Sequence, residues 1–240
     1  MPRLDVLVAR NGFAESRKRA QALILAGKVR VAGETERRPD RAVSDDAPIT
    51  VESEPGYASR GALKLAPALD RFGVDPRERV CADIGASTGG FTDVLLRRGA
   101  AKVYAVDVGR GLLHWRIRQD PRVVVIERVN ARDLRGFPEA VSLVVIDVSF
   151  ISLEKVLPAV RRAAPTAEVV ALFKPQFEVG RSEVGKKGVV RDPAAIEAAI
   201  ARFREWCNAN GYVVKAEAPS EVAGAEGNRE IFVHLEPNAG

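Results

Sequence analysis

Apolar positions recur along this chain with two different periods, and the change between them marks out its architecture. Near the start, Leu4, Leu7 and Val8 repeat at i, i+3 and i+4, the spacing of one helix face, and Asn11-Gly12 follows as a stop. Ser16 is placed to cap a second helix. There Ala20, Leu23, Ile24 and Gly27 share one face, and Arg17, Lys18, Gln21 and Lys28 share the other. Val29 and Val31 then alternate with Lys28 and Arg30 into Ala32-Gly33, and Ile49 and Val51 alternate in the same way, which predicts short strands. Residues 1–51 therefore read as a small α+β domain. Residues 52–59, which contain Pro55-Gly56, read as a linker.

From residue 60 onward the pattern becomes continuous apolar runs separated by amphipathic stretches. The runs predict strands over 80–84, 102–106, 123–126, 143–146 and 169–173, with two late strands over 212–216 and 231–235. Helices are expected over 90–98, through Val156 and Val160, and after Asp192-Pro193, an N-cap followed by proline at the first helical position. That last helix carries Ile196, Ile200, Phe203 and Cys207 on one stripe and closes at Gly211. Strands apolar on both faces, alternating with helices, imply a largely parallel α/β sheet. The fold class expected over 60–240 is a doubly wound, Rossmann-like domain.

Charge adds a division of labour. The 240 residues carry 37 Lys and Arg against 32 Asp and Glu, a net charge of +5. Residues 1–30 hold seven basic side chains and two acidic ones, so the excess lies there and the remainder is balanced. A basic module on a neutral body suggests a polyanionic partner, and nucleic acid fits best. Contacts to it are expected from Arg3, Arg17, Lys18, Arg19, Lys28 and Arg30. No apolar stretch is long enough to span a bilayer, and the first ten residues lack the pattern of a secretion signal. Cys81 and Cys207 lie far apart in apolar settings and read as buried free thiols, while His114 and His234 lack partners at ligand spacing. A cytoplasmic, metal-free protein is the expectation.

The chemistry gathers after the first strand of the body. Asp83-Ile-Gly85-Ala-Ser87-Thr88-Gly89-Gly90-Phe91 forms a glycine turn leading into a helix, and Asp107 ends the next strand 22 residues after Gly85. Glycines admit close backbone approach at a helix start, and a carboxylate after the second strand accepts from ribose hydroxyls. A nicotinamide or flavin dinucleotide would call for glycine where Ser87 stands. S-adenosylmethionine has no phosphates, and its looser D-x-G-x-x-x-G turn is satisfied here. The expected cofactor is therefore S-adenosylmethionine. Its expected contacts are Asp83, Gly85, Ser87, Thr88, Gly89, Gly90 and Phe91 of the turn, Asp107 and Val108, and Asn130, Ala131 and Arg132 after the third strand, where the adenine end lies. The same residues also spell G-x-S-x-G, a hydrolase elbow with His234 downstream. That elbow normally follows several strands of its domain, and His234 alternates inside a strand.

A family resemblance joins the two halves. Arg3-Leu-Asp and Ser16-Arg-Lys-Arg-Ala through Gly27-Lys-Val-Arg-Val-Ala-Gly33 look like an S4 RNA-binding domain. The body resembles the FtsJ-like ribose 2′-O-methyltransferases, and the combination resembles the TlyA family, often labelled hemolysin. The runs that carry the resemblance are Ser59-Arg-Gly-Ala-Leu-Lys64-Leu, Gly85-Ala-Ser-Thr-Gly-Gly-Phe91, Asp147-Val-Ser-Phe-Ile-Ser-Leu153, Lys174-Pro-Gln-Phe-Glu-Val-Gly180 and Gly227-Asn-Arg-Glu230. The resemblance implies methyl transfer to a ribose 2′-hydroxyl of ribosomal RNA, typically a cytidine, with ribosomal RNA or subunits as the partner. It also implies a catalytic tetrad of Lys64, Asp147, Lys174 and Glu230, with Lys174 as general base. The strand pattern places Asp147 and Lys174 at the carboxyl edge of the sheet. It places Glu230 there too if the last strand is antiparallel, and Asp147 counts as a cofactor neighbour as well. Lys64 rests on the resemblance alone, and Pro67 leaves a regular helix around it in question. Phe150 and Phe177 are candidates to stack on a flipped nucleotide. His114 and Trp115 are expected to pack on the sheet, and Lys186-Lys187 reads equally as a solvated loop or an RNA-facing lid. The rival functions are a catalytically inactive RNA-binding factor, a membrane-active hemolysin and a Rossmann oxidoreductase.

Overall fold

The computed structural model describes residues 1–238 apart from 12, 15, 52–55, 181–183, 186–187 and 225–226. Gly12, the first half of the expected linker and Lys186-Lys187 therefore lie outside the described residues. By its internal contacts the chain forms two compact units. One comprises residues 1–57 and 114–119, the other 58–113 and 120–240.

The first unit builds α1 (Leu4–Arg10), α2 (Arg17–Leu25), β1 (Val29–Val31), β2 (Glu34–Glu36) and β3 (Ile49–Val51). Ser16 caps α2 by accepting from the Arg19 amide at 3.2 Å. β1 is the central strand, antiparallel to both β2 and β3. Leu4, Leu7, Val8, Ala20, Ile24 and Val29 are buried together beneath it, so the two helical periods and the strand alternation meet in one core. β2 escapes the sequence pattern because Glu34-Thr35-Glu36 contains no apolar residue, and the side chain that turns inward is Glu36.

The second unit holds α3 (Ala62–Phe72), β4 (Val80–Ile84), α4 (Gly90–Arg97) and β5 (Lys102–Asp107). A single turn, α5 (Trp115–Arg118), follows β5 and groups with the first unit, whereas the sequence reading packs His114 and Trp115 on the sheet. Then come β6 (Val123–Glu127), β7 (Leu143–Ile146), α6 (Leu153–Ala163), β8 (Glu168–Phe173), α7 (Pro175–Glu178), α8 (Pro193–Ala209), β9 (Tyr212–Pro219) and β10 (Ile231–Pro237). The strand order is β6-β5-β4-β7-β8-β10-β9. The pairs from β6 across to β8 are parallel, and β10 is antiparallel to both β8 and β9. Ile84, Val144, Ile146, Val160, Ala171 and Phe203 belong to its buried core.

Two features fix the site. The order reverses between β4 and β7, so their carboxyl ends open a crevice, the position where doubly wound sheets bind ligands. Ile231 pairs with Phe173, so the residue before β10 lies beside the residue after β8. α3 runs through Pro67 as a continuous helix. The amide that proline lacks would have bonded to the carbonyl of Leu63, a half-exposed residue.

Candidate active site

The turn after β4 is backbone-built. Gly85 and Gly89 adopt φ of 86° and 91°. A Cβ on Gly85 would run into the backbone carbonyl of Asp147, so glycine is required where β4 and β7 come closest. Ser87 also has positive φ, 48°, uncommon outside glycine and a mark of strain at functional turns. That conformation presents its amide to Asp107 Oδ2 at 2.8 Å, while Asp107 Oδ1 accepts from the Gly109 amide at 2.7 Å. Asp107 is thus held rigidly at the end of β5, with lone pairs left for a ligand's hydroxyls.

Two cavities open on this turn. The larger, of about 780 Å³, is lined by Gly85, Ser87, Asp107, Val108, Asn130 and Arg132, together with Ala131, Asp147, Phe150 and Phe177. Asn130 accepts from the Arg132 amide at 3.2 Å and so fixes the loop after β6. The smaller, of about 340 Å³, is lined by Lys64, Thr88, Gly90 and Phe91, and shares Gly85, Ser87 and Asp147 with the first. Asp147 stands between the two. Gly89 shapes the turn without lining either cavity, as the left-handed residue before α4.

Asp83 differs from its expected role. It is fully buried and lines neither cavity. Its Oδ2 accepts from the Thr92 hydroxyl at 2.6 Å, and its Oδ1 has no hydrogen-bond donor among the described residues. Burial pushes its pKa up to about 7, with the nearby carboxylates of Asp147 and Asp107 adding to the rise and the Thr92 hydroxyl opposing it. The residue braces the turn from beneath.

The four expected catalytic residues form two pairs. Lys174 Nζ lies 2.6 Å from Asp147 Oδ1, off the axis of a hydrogen bond, and donates to Ser149 Oγ at 3.0 Å. Lys64 Nζ donates to Glu230 Oε2 at 2.6 Å. Lys174 is 7% exposed and Glu230 4%, so each pair joins a nearly buried member to one that reaches a cavity. Lys64, which strand topology does not locate, is brought in by a close approach. Gly90 lacks a Cβ, which would strike Ser59 and lie 2.9 Å from the Ala62 amide nitrogen. The carboxylate of Asp93 also holds the Ala58 amide at 2.7 Å. The chain entering α3 therefore crosses the start of α4 and aims Lys64 inward.

Phe150 is 91% exposed with φ of 64°, and its ring lies 5.2 Å from that of Phe177 at the mouth of the larger cavity. His234 points elsewhere. Its Nε2 meets Glu168 Oε1 at 2.7 Å and its ring stacks on Phe72, at the amino end of β8 and away from Ser87, which removes the hydrolase triad. No group of three His, Cys, Asp or Glu among the described residues is arranged to hold a metal ion.

In the first unit, the expected RNA-facing residues do not form one simple basic stripe. Lys18 and Arg30 are exposed, while Arg19 and Lys28 are half-buried. Arg3 and Arg17 both converge on Asp5, a residue with no exposed surface that sequence reasoning passed over. Arg3 Nε donates at 3.1 Å, Arg17 Nε at 3.0 Å and Gln21 Nε2 at 2.7 Å. Burial works against ionisation of Asp5, but the donors of Arg3, Gln21 and Arg17 outweigh it and hold the carboxyl well below the usual range. Glu36 does the same for the next turn. It accepts from the amides of Arg37 and Arg38 at 2.9 Å and from the Arg41 guanidinium, and its pKa falls to about 2. Counted over residues 1–51 the balance is ten basic against seven acidic, milder than the first thirty residues suggest. Orientation of arginines by buried acids, more than net charge, gives this surface its character.

Comparison with known proteins agrees with this division. An FtsJ-like methyltransferase family model matches residues 57–236, and an S4 domain model matches residues 2–49. The chain is 51% identical over 97% of its length to a Mycobacterium tuberculosis protein named 16S/23S rRNA (cytidine-2′-O)-methyltransferase TlyA, covering 89% of it. It is 41% identical over 97% of its length to Hemolysin A of Brachyspira hyodysenteriae, covering 99% of that protein. A solved structure from Streptococcus thermophilus that carries a hemolysin label shares 40% identity, with a TM-score of 0.75 over 99% of this chain and 89% of that one.

Proposed function

The chain belongs to the FtsJ-like methyltransferase family, and from that premise we propose that it methylates a ribose 2′-hydroxyl of ribosomal RNA, that of a cytidine, with S-adenosylmethionine as methyl donor. Residues 60–240 form the catalytic domain in this reading. Residues 1–51 form an S4 domain that binds RNA through Arg3, Arg17, Lys18, Arg19, Lys28 and Arg30, and 52–59 connects the two. The protein works in the cytoplasm on ribosomal RNA or subunits.

The observation that carries the reading is the pairing of Lys174 with Asp147 and of Lys64 with Glu230 beside two cavities that meet at Asp147. The donor supplies an electrophilic methyl group on a sulfonium. Asp107 is placed to accept from the hydroxyls of its ribose, and Val108, Asn130, Ala131 and Arg132 line the space for its base. Gly85 permits backbone approach, and Asp147 faces the junction where a cation would sit. A ribose hydroxyl is a poor nucleophile until its proton is taken. In this reading Lys174 Nζ accepts that proton, and Asp147, 2.6 Å away, stabilises the ammonium that forms. Ser149 keeps Nζ on line, and Glu230 holds Lys64 toward the smaller cavity. Catalysis is positioning and electrostatics, with no covalent intermediate. The exposed rings of Phe150 and Phe177 offer a stacking face for the unstacked base of the target nucleotide.

Lys174→Ala tests the reading. Methyl transfer from labelled donor to ribosomal subunits should fall by at least about 100-fold, while donor binding by calorimetry persists. Substantial residual transfer would remove Lys174 from the role of base. No helix among the described residues is long and apolar enough to cross a membrane. Lysis of erythrocytes by purified protein, unaffected by Lys174→Ala, would favour the hemolysin reading instead.

A further inference from the structure

The run Gly227-Asn-Arg-Glu230 contributes Glu230 to the tetrad, and its arginine has a place of its own. A third cavity, of about 270 Å³, receives Arg191 and Arg229, with Val189, Val190, Pro193 and Ile196 lining the rest. The two arginines are brought together by a staple. Asn228, 4% exposed, accepts from the Val190 amide at 3.1 Å through Oδ1 and donates to the Gly188 carbonyl at 3.0 Å through Nδ2. With Asn228 and Val190 tied, Arg191 and Arg229 are the next residue along each of the two joined segments. Both are exposed, no carboxylate lines the cavity, and neither arginine has an ion pair among the described residues. Asp192 is already engaged on the first turn of α8, accepting from the Ala194 amide at 2.9 Å, so the arginines, not the helix end, are what the cavity offers an anion.

We propose that Arg191 and Arg229 form a phosphate subsite that grips a phosphodiester of the RNA strand next to the reacting nucleotide. The inference rests on the RNA-methylation reading above. Two guanidinium groups on one polar cavity match the oxygens of a phosphate, for which arginine's planar fork is suited. Arg229 adjoins Glu230, whose carboxylate holds Lys64. Consecutive Cα atoms lie about 3.8 Å apart, so a phosphate fixed on Arg229 is fixed in register with the tetrad. The body then contributes its own RNA contact, independent of the first unit.

The test uses the full chain and its Arg191→Gln/Arg229→Gln double variant. Binding of a ribosomal RNA transcript is measured across a salt series. The double variant is expected to bind about tenfold more weakly, with the slope of log affinity against log salt reduced by about 1, the effect of losing one or two phosphate contacts. Calorimetry should show donor binding unchanged, which confirms that the variant is folded. An Arg191→Lys/Arg229→Lys variant should keep the slope and lose part of the affinity. Unchanged RNA affinity and slope in the glutamine variant, with transfer by the parent chain intact, would overturn the subsite and leave the function standing. Absence of transfer by the parent chain would instead overturn the function, and the salt slopes would still decide the subsite. Calorimetry with inorganic phosphate separates the two sources of the anion. Phosphate binding that the glutamine variant loses, with RNA affinity untouched, overturns the assignment to a strand.

Discussion

Asp5 and Asp83 are both aspartates without exposed surface, one in the first turn of α1 and one near the end of β4, and their carboxyls are shifted in opposite directions. Asp5 is surrounded by donors from Arg3, Arg17 and Gln21 and stays ionised far below the usual carboxylate range. Asp83 has one hydroxyl donor and two neighbouring carboxylates, and its pKa rises to about 7. Burial opposes ionisation of both: at Asp83 it prevails, with the neighbouring carboxylates adding to it, and at Asp5 the donors outweigh it. In the first unit a buried acid is used to present cations outward. In the second, one is kept poised beneath a turn whose working acids, Asp107 and Asp147, already face the cavities.

Asp5→Ala should break the comparison most visibly. It leaves two guanidinium groups and an amide without their common acceptor. Breaking a buried pair costs about 3–5 kcal/mol. Arg3 and Arg17 are each about half exposed and water can reclaim them, so a loss of about 2–3 kcal/mol is expected in denaturant unfolding. RNA affinity should fall with it, because both arginines lose their orientation. In the parent chain the Asp5 contribution is fully present at neutral pH and is lost as pH drops below the ordinary carboxylate range, because the folded pKa is lowered. A loss under about 0.5 kcal/mol, the range of an ordinary surface change, would mean that Asp5 holds nothing.

Asp83→Asn should act in the reverse sense. A carboxyl whose folded pKa is raised binds its proton more tightly when folded. The cost of burying it is absent below the ordinary range of about 4 and complete above about 7. Stability of the parent chain therefore falls as pH rises between those values, and the neutral amide removes that slope. The variant should match the parent below about pH 4 and exceed it near pH 8, by up to about 4 kcal/mol for a carboxyl raised from about 4 to about 7. A variant less stable than the parent at pH 8 would place Asp83 in the same class as Asp5.

What the sequence disclosed follows the same physical line. The strands at 80–84 and 143–146 are legible because both their faces are buried, and a short, continuous apolar run bounded by polar turns is the pattern such strands leave. β2 is not legible, since Glu36 is carried inward by arginines and backbone amides and not by hydrophobicity. Asp147, Lys174 and Glu230 follow from strand ends and an antiparallel last strand, as β10 proves to be. Lys64 needs a fact no periodicity contains, the missing Cβ of Gly90 that lets the chain cross α4. Asp5 was hidden for a further reason. An acid among seven basic residues looks like dilution of charge, whereas in the fold it organises that charge.

Thr92→Val is the finest test of the contrast. The hydroxyl of Thr92 is the side-chain donor to Asp83, at 2.6 Å, and both residues are fully buried. Valine keeps the shape and removes the bond, so a loss of about 1 kcal/mol is expected near pH 5, where Asp83 is protonated and the bond is between neutral groups. Near pH 8 the same hydroxyl faces a carboxylate. Hydrogen bonds to charged groups are roughly twice as strong, so the loss should grow toward about 2 kcal/mol. Without the donor the pKa of Asp83 should move still further up, and the pH slope of stability should steepen, because the ionised form has lost its main source of relief. In an Asp83→Asn background the extra cost at high pH should vanish, since the amide carries no charge at either pH. An equal loss at pH 5 and pH 8 in the parent background would show that Asp83 does not change state over that range, and the opposition between the two aspartates would then be one of geometry without charge.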